Sequence, residues 1–485
     1  MAKNFLKNEV AVKMTMVGFG QAGTRMVDKF AEYKHTDGTA VYNCLALNSN
    51  DGDLAELKNV PKSNQVSLKL GGLGKNPERA VKVLDSNDDA KEKLKEFITE
   101  RVRPSDELVL FFAGLGGGTG TSTIIKAIEE FSAFHNKPII RQELQTVAQQ
   151  YPMAEIKANQ AKFARIAFEN AIERKDFIKM GIVVTLPVRA DGPDVLRQVN
   201  KFSQEIWKLA NDKSKGVAFV VFADNQHFYD EFKELNENEK KGIANARDYA
   251  NQRISEIIHE LNTATNGSGT SVILDSQDFK RILLEKTGCL VINKISRNMN
   301  QIENSHTIVE MFKESLSGSS FHHPIDLMKK NNDGSVEASK VHHFGMLAIL
   351  DEQKNIDDSF MDDAKVEVSN NLPINGTVFN GYLVSKNDFL GSVYTFYKTD
   401  ALPSRLSKGL VEEFNEFKEK QSQIQYKKSQ ISTIESVDDD EDLGFAFGDF
   451  IDMGSDEENK EAGANEDDAE FADFLDPDKM FGTTK

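Results

Sequence analysis

Three glycine-dense segments stand out: Gly18-Phe19-Gly20-Gln21-Ala22-Gly23, Leu70-Gly71-Gly72-Leu73-Gly74-Lys75-Asn76-Pro77, and Gly114-Leu115-Gly116-Gly117-Gly118-Thr119-Gly120-Thr121-Ser122. A backbone without Cβ atoms approaches an anion closely and aims several N–H groups at it; a helix starting there adds the positive end of its dipole. The first segment fits G-x-G-x-x-G, which alone is a weak dinucleotide signal. The second alone reads equally as a plain loop. The third is too dense in glycine for a packing turn and lies between an apolar run and a helix. Together they imply three turns around one polyphosphate. The pattern G-x-x-x-x-G-K-[ST] is absent, which excludes a P-loop nucleotidase. A second chemical candidate is Asp275 and Asp278 in Leu274-Asp275-Ser276-Gln277-Asp278-Phe279-Lys280. If a helix opens there, their spacing puts both carboxylates on one face. Read alone, Asp275 serves equally as an N-cap with Asp278 near the dipole.

The elements that must position these groups are legible as apolar runs. Val10–Val17, Tyr42–Leu47 and Leu108–Phe112 read as buried strands, the first and third running into glycine segments, with helices expected after Gly23 and from Thr123. Ile182–Thr185 and Ala218–Phe222 are further short apolar runs ending in turn-forming residues. Strand, glycine turn and helix in repetition imply a parallel sheet wound by helices, with ligands at the carboxyl ends of the strands. A helix over Asn251–Asn262 places Ile254, Ile257, Ile258 and Leu261 on one face. Strand candidates at 289–295, 344–350, 382–385 and 393–397 suggest a second, smaller α/β domain, and Pro403 opens an amphipathic helix through Leu406, Leu410, Phe414 and Phe417. Residues 136–180 form a long polar stretch, expected as one or two helices inserted on the surface, with an interaction module as the sharper reading.

The chain has 485 residues, 39% hydrophobic and 28% charged, ample for a core and two or three domains. No run approaches ~20 apolar residues, so no membrane-spanning helix is expected, and the N-terminus lacks the pattern of a secretory signal. Cys44 and Cys289 lie in apolar runs and read as buried, reduced thiols of a cytoplasmic protein. Residues 431–485 carry 19 acidic and 3 basic side chains, so −16 of the net −18 sits there and the first 430 residues carry −2. That near-neutral body has no basic footprint for direct nucleic-acid binding. The tail reads as disordered, yet its acidic-aromatic patches 443–453 and 470–481 hold Phe445, Phe447, Phe450, Phe471, Phe474 and Phe481. They are candidates for folding onto an adaptor protein, with an entropic acidic brush as the plain alternative. His322-His323 and His342-His343 are adjacent pairs without cysteines beside them, and no metal site is expected from them.

The motifs together resemble those of the tubulin/FtsZ superfamily. Gly116-Gly117-Gly118-Thr119-Gly120-Thr121-Ser122 is similar to its GGGTG[ST]G phosphate clasp, departing only at Ser122. Gly20-Gln21-Ala22-Gly23 and Asn48-Ser49-Asn50 resemble tubulin's first two phosphate loops, and Gly72-Leu73-Gly74-Lys75-Asn76-Pro77 the γ-phosphate-sensing loop of FtsZ. Asp191-Gly192 resembles the ribose-contacting loop, although an FtsZ arginine falls on Val195. Phe222-Ala223-Asp224-Asn225 resembles the guanine-contacting segment, which implies that Asn225 bonds the base with Asn251 as partner and Tyr249 near the ring. Leu274–Lys280 looks like the FtsZ synergy loop (NxDxxD), with Ile273 where the asparagine stands. It implies catalytic Asp275 and Asp278 acting in the neighbouring subunit's site. The resemblance runs in order over roughly residues 12–285 and more loosely to 425.

It implies an α/β, tubulin/FtsZ-like protein with a Rossmann-type parallel-sheet GTPase domain over 1–248, a central helix over 249–266 and a second, smaller α/β (activation) domain over 267–402. That second domain carries the synergy loop 270–280 and is followed by a C-terminal helix over 403–428 and the disordered acidic tail 429–485. GTP or GDP with Mg²⁺ would be bound, and hydrolysis would be completed within a polar head-to-tail filament of the chain with itself. A DNA-positioning filament of the TubZ or PhuZ kind fits the divergent synergy loop, the insertion and the tail. FtsZ-like division or CetZ-like shape control is the alternative, favoured by Gly18–Gly23 with Val27-Asp28-Lys29-Phe30. A dinucleotide oxidoreductase would need an acid where Asn48 stands and leaves the glycine run 114–120 unexplained. A non-hydrolysing nucleotide-stabilised scaffold, with Asp275 and Asp278 as caps only, is the alternative of another class.

Overall fold

The computed structural model describes residues 10–264, 273–331, 333–352, 356–385 and 389–424. The first half runs β1 (Met14–Phe19), α1 (Gly20–Phe30), β2 (Asn43–Asn48), α2 (Asp51–Ala55), β3 (Gln65–Ser67), α3 (Pro77–Asp85), α4 (Asp88–Glu100), β4 (Leu108–Gly114) and α5 (Gly118–Phe131). A π-turn (Ser132–Asn136) leads into α6 (Lys137–Gln150), α7 (Met153–Ala158) and α8 (Gln160–Glu173). Then come β5 (Lys179–Leu186), α9 (Pro193–Asn211), β6 (Val217–Asp224), α10 (Asn225–Glu234) and α11 (Ala246–Ala264). The second half holds α12 (Ser276–Leu284), β7 (Cys289–Asn298), α13 (Ser305–Ser315), β8 (Met328–Lys330), β9 (Val336–Ala338) and β10 (Val341–Asp351). It closes with α14 (Phe360–Asn371), β11 (Val378–Ser385), β12 (Leu390–Thr399) and α15 (Leu410–Ser422).

β3-β2-β1-β4-β5-β6 are parallel neighbours in that order, so chain direction across the sheet reverses between β1 and β4. Two connections leave that point toward opposite sides, opening a crevice at the carboxyl ends of the strands. Side chains alternate across the sheet because successive residues point to opposite faces. Val17, Phe19, Leu45, Leu47, Val109 and Phe111 pack with α4, α5 and α9, while Met14, Met16, Cys44, Ala46, Leu110 and Phe112 pack with α1 and α11. β7 joins β6 through the single pairing Val220–Cys289, and β12, β10 and β11 extend the sheet from there. The four later strand candidates thus all form strands, as edgewise additions to the same sheet. α13 and α14 cover one face of this extension around Phe312, Phe344, Phe360 and Met346. α11 and α12 lie on the other, where Phe279 and Ile282 meet Leu347 and Phe396.

Three expectations need adjustment. Gly18 belongs to β1 and Gly20–Gly23 to the first turn of α1, so the first glycine segment is not a separate loop. The helix after the third glycine run begins at Gly118, five residues before Thr123. The insertion forms three helices with a core of their own (Ile140, Leu144, Val147, Phe163, Ala167), because the polar stretch hides an apolar stripe at helical spacing. The tail patches 443–453 and 470–481 lie outside the described residues, as do residues 270–272 of the expected synergy loop 270–280. Among the described residues no helix is long and apolar enough to cross a membrane.

The first glycine segment is fixed by contact. A Cβ on Gly23 would stand 2.0 Å from the Phe112 carbonyl oxygen of β4, and one on Gly18 2.4 Å from the Gly23 oxygen. Backbone cannot yield as a flexible side chain does, so a methyl group there forces α1 off the sheet. Gly23→Ala is expected to destabilise the fold by more than ~2 kcal/mol, read as a lowered urea midpoint.

Candidate functional site

The candidate phosphate segments converge where β1 and β4 end. Gly20 has φ +66°, and a Cβ there would lie 2.6 Å from the Gly120 nitrogen, so the first and third glycine segments touch backbone to backbone. Ala22 abuts Gly114, whose added Cβ would meet the Ala22 methyl at 2.8 Å. The second segment closes from the other side: the Gly118 N–H donates to the Gly74 carbonyl at 3.0 Å, with Leu73 beside it. Neither α1 nor α5 has a side-chain N-cap or an acid in its first turn. The Gly117 and Gly118 N–H groups are taken by the Gly114 and Gly74 carbonyls, but no side chain offsets the positive ends of the two helix dipoles, which are left to act on an anion from outside the chain.

A polar rim surrounds this cradle. The Thr119 hydroxyl donates to Ser49 Oγ at 2.9 Å, tying α5 to the turn after β2. Asp53, one turn into α2, accepts from Asn48 Nδ2, Asn50 Nδ2 and Gln21 Nε2 at 3.1, 3.3 and 3.2 Å, while the Asn50 side chain caps the Asp53 N–H. Asn48, Asn50 and Gln21 are thus all brought together by one carboxylate. Asp191 takes the Val188 N–H, Lys75 Nζ at 2.8 Å and Arg247 Nη2 at 3.4 Å. It joins the second glycine segment to the turn after β5 and the start of α11. A Cβ added at Gly71 or Gly72 would meet no atom within 4 Å. Val195, where the resemblance would place an arginine, packs its γ-methyl toward Gly116 and supplies no charge.

Asn225 opens α10 and Asn251 lies in the second turn of α11, both half-buried. Their helices are stitched by Tyr249 against Phe228 and Phe232, the Tyr249 hydroxyl donating to Glu231 at 3.3 Å. Tyr249 is therefore mostly a seam residue, and burial pushes its phenol up to about 12. Beneath Asn225 the fully buried Asp224 caps Gln226 and accepts from Arg405 Nη1 at 2.5 Å and His323 Nδ1 at 2.9 Å. Arg405 also donates to the Pro187 carbonyl and, in a fork, to both oxygens of Glu413, which receives Arg189 as well. This buried network fastens the C-terminal helix α15 under the turns after β5 and β6. Burial opposes the charged form of Asp224, but the His323 hydrogen bond and the Arg405 charge outweigh it and hold the carboxyl below its ordinary value.

Asp275 and Asp278 stand at the opposite edge of the sheet. Asp275 caps α12, accepting from the Gln277 and Asp278 N–H groups at 2.8 Å each. Leu274 and Phe279 anchor the segment in the core, while the Asp275 carboxyl faces solvent. Lys280 pairs with Glu107 just before β4, and Lys179 at the start of β5 reaches the Leu284 carbonyl, so α12 lies at the edge where the strands begin. The chain does not bring these acids to its own cradle. Burial and the Asp275 charge raise the Asp278 carboxyl above its usual value. Three of the paired histidines lie within hydrogen-bond distance of carboxylates, His323 of Asp224, His342 of Asp400 and His343 of Glu285, while the buried His322 turns Nδ1 to the His323 carbonyl. Among the described residues no three acids, histidines or cysteines are grouped to hold a metal.

Sequence reasoning missed Asp53, Arg247, Ser49 as a partner of Thr119, and the Asp224–Arg405–Glu413 network. The Asn50-x-x-Asp53 spacing of a capped helix start was a usable signal for the first. Nothing local announces Arg405, which is 181 residues from its partner.

Residues 13–173 match the model of the Tubulin/FtsZ family, GTPase domain. Tubulin-like protein TubZ of Bacillus anthracis is 22% identical over 99% of both chains. Tubulin-like protein CetZ1 of Haloferax volcanii is 32% identical over 136 residues, spanning 26% of this chain and only 33% of that protein. Among solved structures, a GTPγS-form protofilament of Bacillus thuringiensis TubZ superposes with a TM-score of 0.61 at 19% identity, covering 87% of this chain and 96% of that one. A GTPγS-bound protofilament of Haloferax volcanii CetZ2 gives 0.57 at 13% identity, covering 84% and 99%. These likenesses show a shared fold.

Losing Arg405 would strand two buried carboxylates. Arg405→Met is expected to cost about 3–5 kcal/mol at pH 7. Because the folded-state value of Asp224 is lowered, its contribution is complete above the ordinary carboxyl value of 3.8 and fades as pH falls below it. Urea unfolding of both proteins at pH 7 and near pH 3 should show the gap narrowing in acid.

Proposed function

We propose that this tubulin/FtsZ-type protein binds GTP at the β1–β4 crevice and hydrolyses it in a head-to-tail filament. The observation that carries the reading is the placement of the two halves of the chemistry on opposite edges of one sheet. Backbone donors for a polyphosphate gather where the strands end, and the candidate catalytic acids stand where they begin. One subunit cannot bring them together, whereas subunits stacked in one direction can. Phosphates would lie against Gly20–Ala22, Gly72–Gly74 and Gly116–Gly120; the ribose would face Asp191, and the base Asn225 and Asn251. Asp53 and the hydroxyls of Ser49 and Thr119 are hard oxygen donors beside the phosphate turns, the chemistry Mg²⁺ selects. When bound with the nucleotide, that ion would neutralise phosphate charge.

From the neighbouring subunit, Asp275 would orient the attacking water and accept its proton, with Asp278 holding the segment's charge and geometry. Adding a charged group only on assembly couples turnover to polymerisation. For the filament's use, near full-length similarity to TubZ, one solved form of which is described as a plasmid-segregation protein, supports DNA positioning or segregation. The higher identity to CetZ1 over a shorter stretch keeps a CetZ-like filament, for cell shape or division, as the second reading. The caps made by Asp275 keep a non-hydrolysing scaffold as the reading of another class.

Asn225→Ala is expected to weaken GTP binding at least tenfold and ATP binding little, measured by competition for a fluorescent GTP analogue. Asp275→Ala is expected to assemble with GTP while turnover falls ~10²–10⁴-fold, as for loss of a positioned base. Normal turnover by that variant would remove Asp275 from the mechanism.

A further inference from the structure

The inserted helices α6–α8 extend from the edge that carries Asp275 and Asp278. α5 starts at the phosphate cradle, and helical backbone runs without a break from Gly118 through the π-turn to Gln150. At about 1.5 Å per residue this is about 50 Å of helix, against about 23 Å for the seven residues of β4 beneath it. α5 alone spans the strand, so α6 has no strand left to cover. α8 returns along α6, and the hairpin buries Ile140, Leu144, Val147, Phe163 and Ala167 within itself. Its base is fixed to the strand-beginning edge. Ser132 and Asn136 donate to the Ser214 and Lys215 carbonyls before β6, and Arg174 clamps Glu143 to Asp176. Lys179, which follows the hairpin, donates to Leu284 at the end of α12. The hairpin and the acid-bearing segment are thus neighbours on one edge.

The tip exposes two large apolar side chains, Tyr151 and Met153, on either side of Pro152, an ordinary turn residue. The Tyr151 ring is steadied on Phe163 at 4.6 Å, and Tyr and Met are enriched at protein interfaces.

We propose that the hairpin 137–173 is a longitudinal contact with a second copy of this chain, its tip seating on the nucleotide edge of the next subunit. This rests on the head-to-tail reading above. In such a stack the edge where strands begin faces the neighbour's cradle, so a projection beside α12 extends the same interface. The segments it meets are those flanking the cradle on the α5 and α9 side, residues 70–87 and 187–201. A contact there adds area around the site that Asp275 enters.

The test places a photo-cross-linking phenylalanine analogue at Met153 of the full chain and irradiates with GTP and Mg²⁺ above and below the assembly threshold. The expected result is an intermolecular product only above the threshold, mapping to 70–87 or 187–201. Met153→Glu should raise the threshold at least threefold, while binding of a fluorescent GTP analogue at low concentration stays unchanged. Cross-links to the partner's own hairpin or to the α13–α14 face would overturn the inference, as would an unchanged threshold in Met153→Glu. A wild-type chain that binds GTP without assembling would instead overturn the head-to-tail reading, and the two failures are separate.

Discussion

The arrangement depends on how closely the backbones of β1, α1, β4 and α5 approach at the sheet's switch point. Gly18, Gly23 and the Phe112 carbonyl leave no room for a methyl group, and Gly20 meets Gly120 in the same way. That contact brings the first turns of α1 and α5 into one place with their amides unused by caps. Glycine costs backbone entropy in a helix or strand, and its presence at these positions is understandable only if close approach matters more. The flanking apolar strands offset that cost through burial on both faces, which also makes the sheet rigid enough to hold the turns in register.

From this point the sheet divides the molecule into two unlike edges. Strand ends carry amide donors, Asp53, and the Lys75–Asp191–Arg247 cluster. Strand beginnings carry α12 and the helical hairpin. α5 links the two directly, and α11 and α15 fasten the turns after β5 and β6 from either face. The buried Arg405 fork places the C-terminal helix in contact with the backbone that leads to Asn225 and Asp191, so the chain's last described helix supports the first half's pocket.

Much of this was legible because it is local. Apolar runs ending in glycine marked β1, β4 and their turns, and the apolar stripe Ile254, Ile257, Leu261 marked α11. Boundaries were missed where glycine sat inside an element: Gly18 and Gly118 read as loop, yet close packing places them in β1 and α5. The insertion's three helices were hidden by polar composition, although Leu144, Val147 and Phe163 carried the stripe. Asn225 and Asp191 entered as candidates by resemblance, and the side chains that hold Asp191 in place had no signal in the sequence. Arg405, Arg247 and Lys75 meet their acids only after the chain has folded, and long polar side chains carry no periodic signal.

Specific GTP turnover as a function of protein concentration, with Mg²⁺ present, tests the division of the active site between two edges most directly. The account predicts activity near zero at low concentration, rising sharply above a threshold at which polymer also becomes detectable. Activity per subunit that stays constant on dilution would mean that each monomer completes its own site, and the account would be wrong.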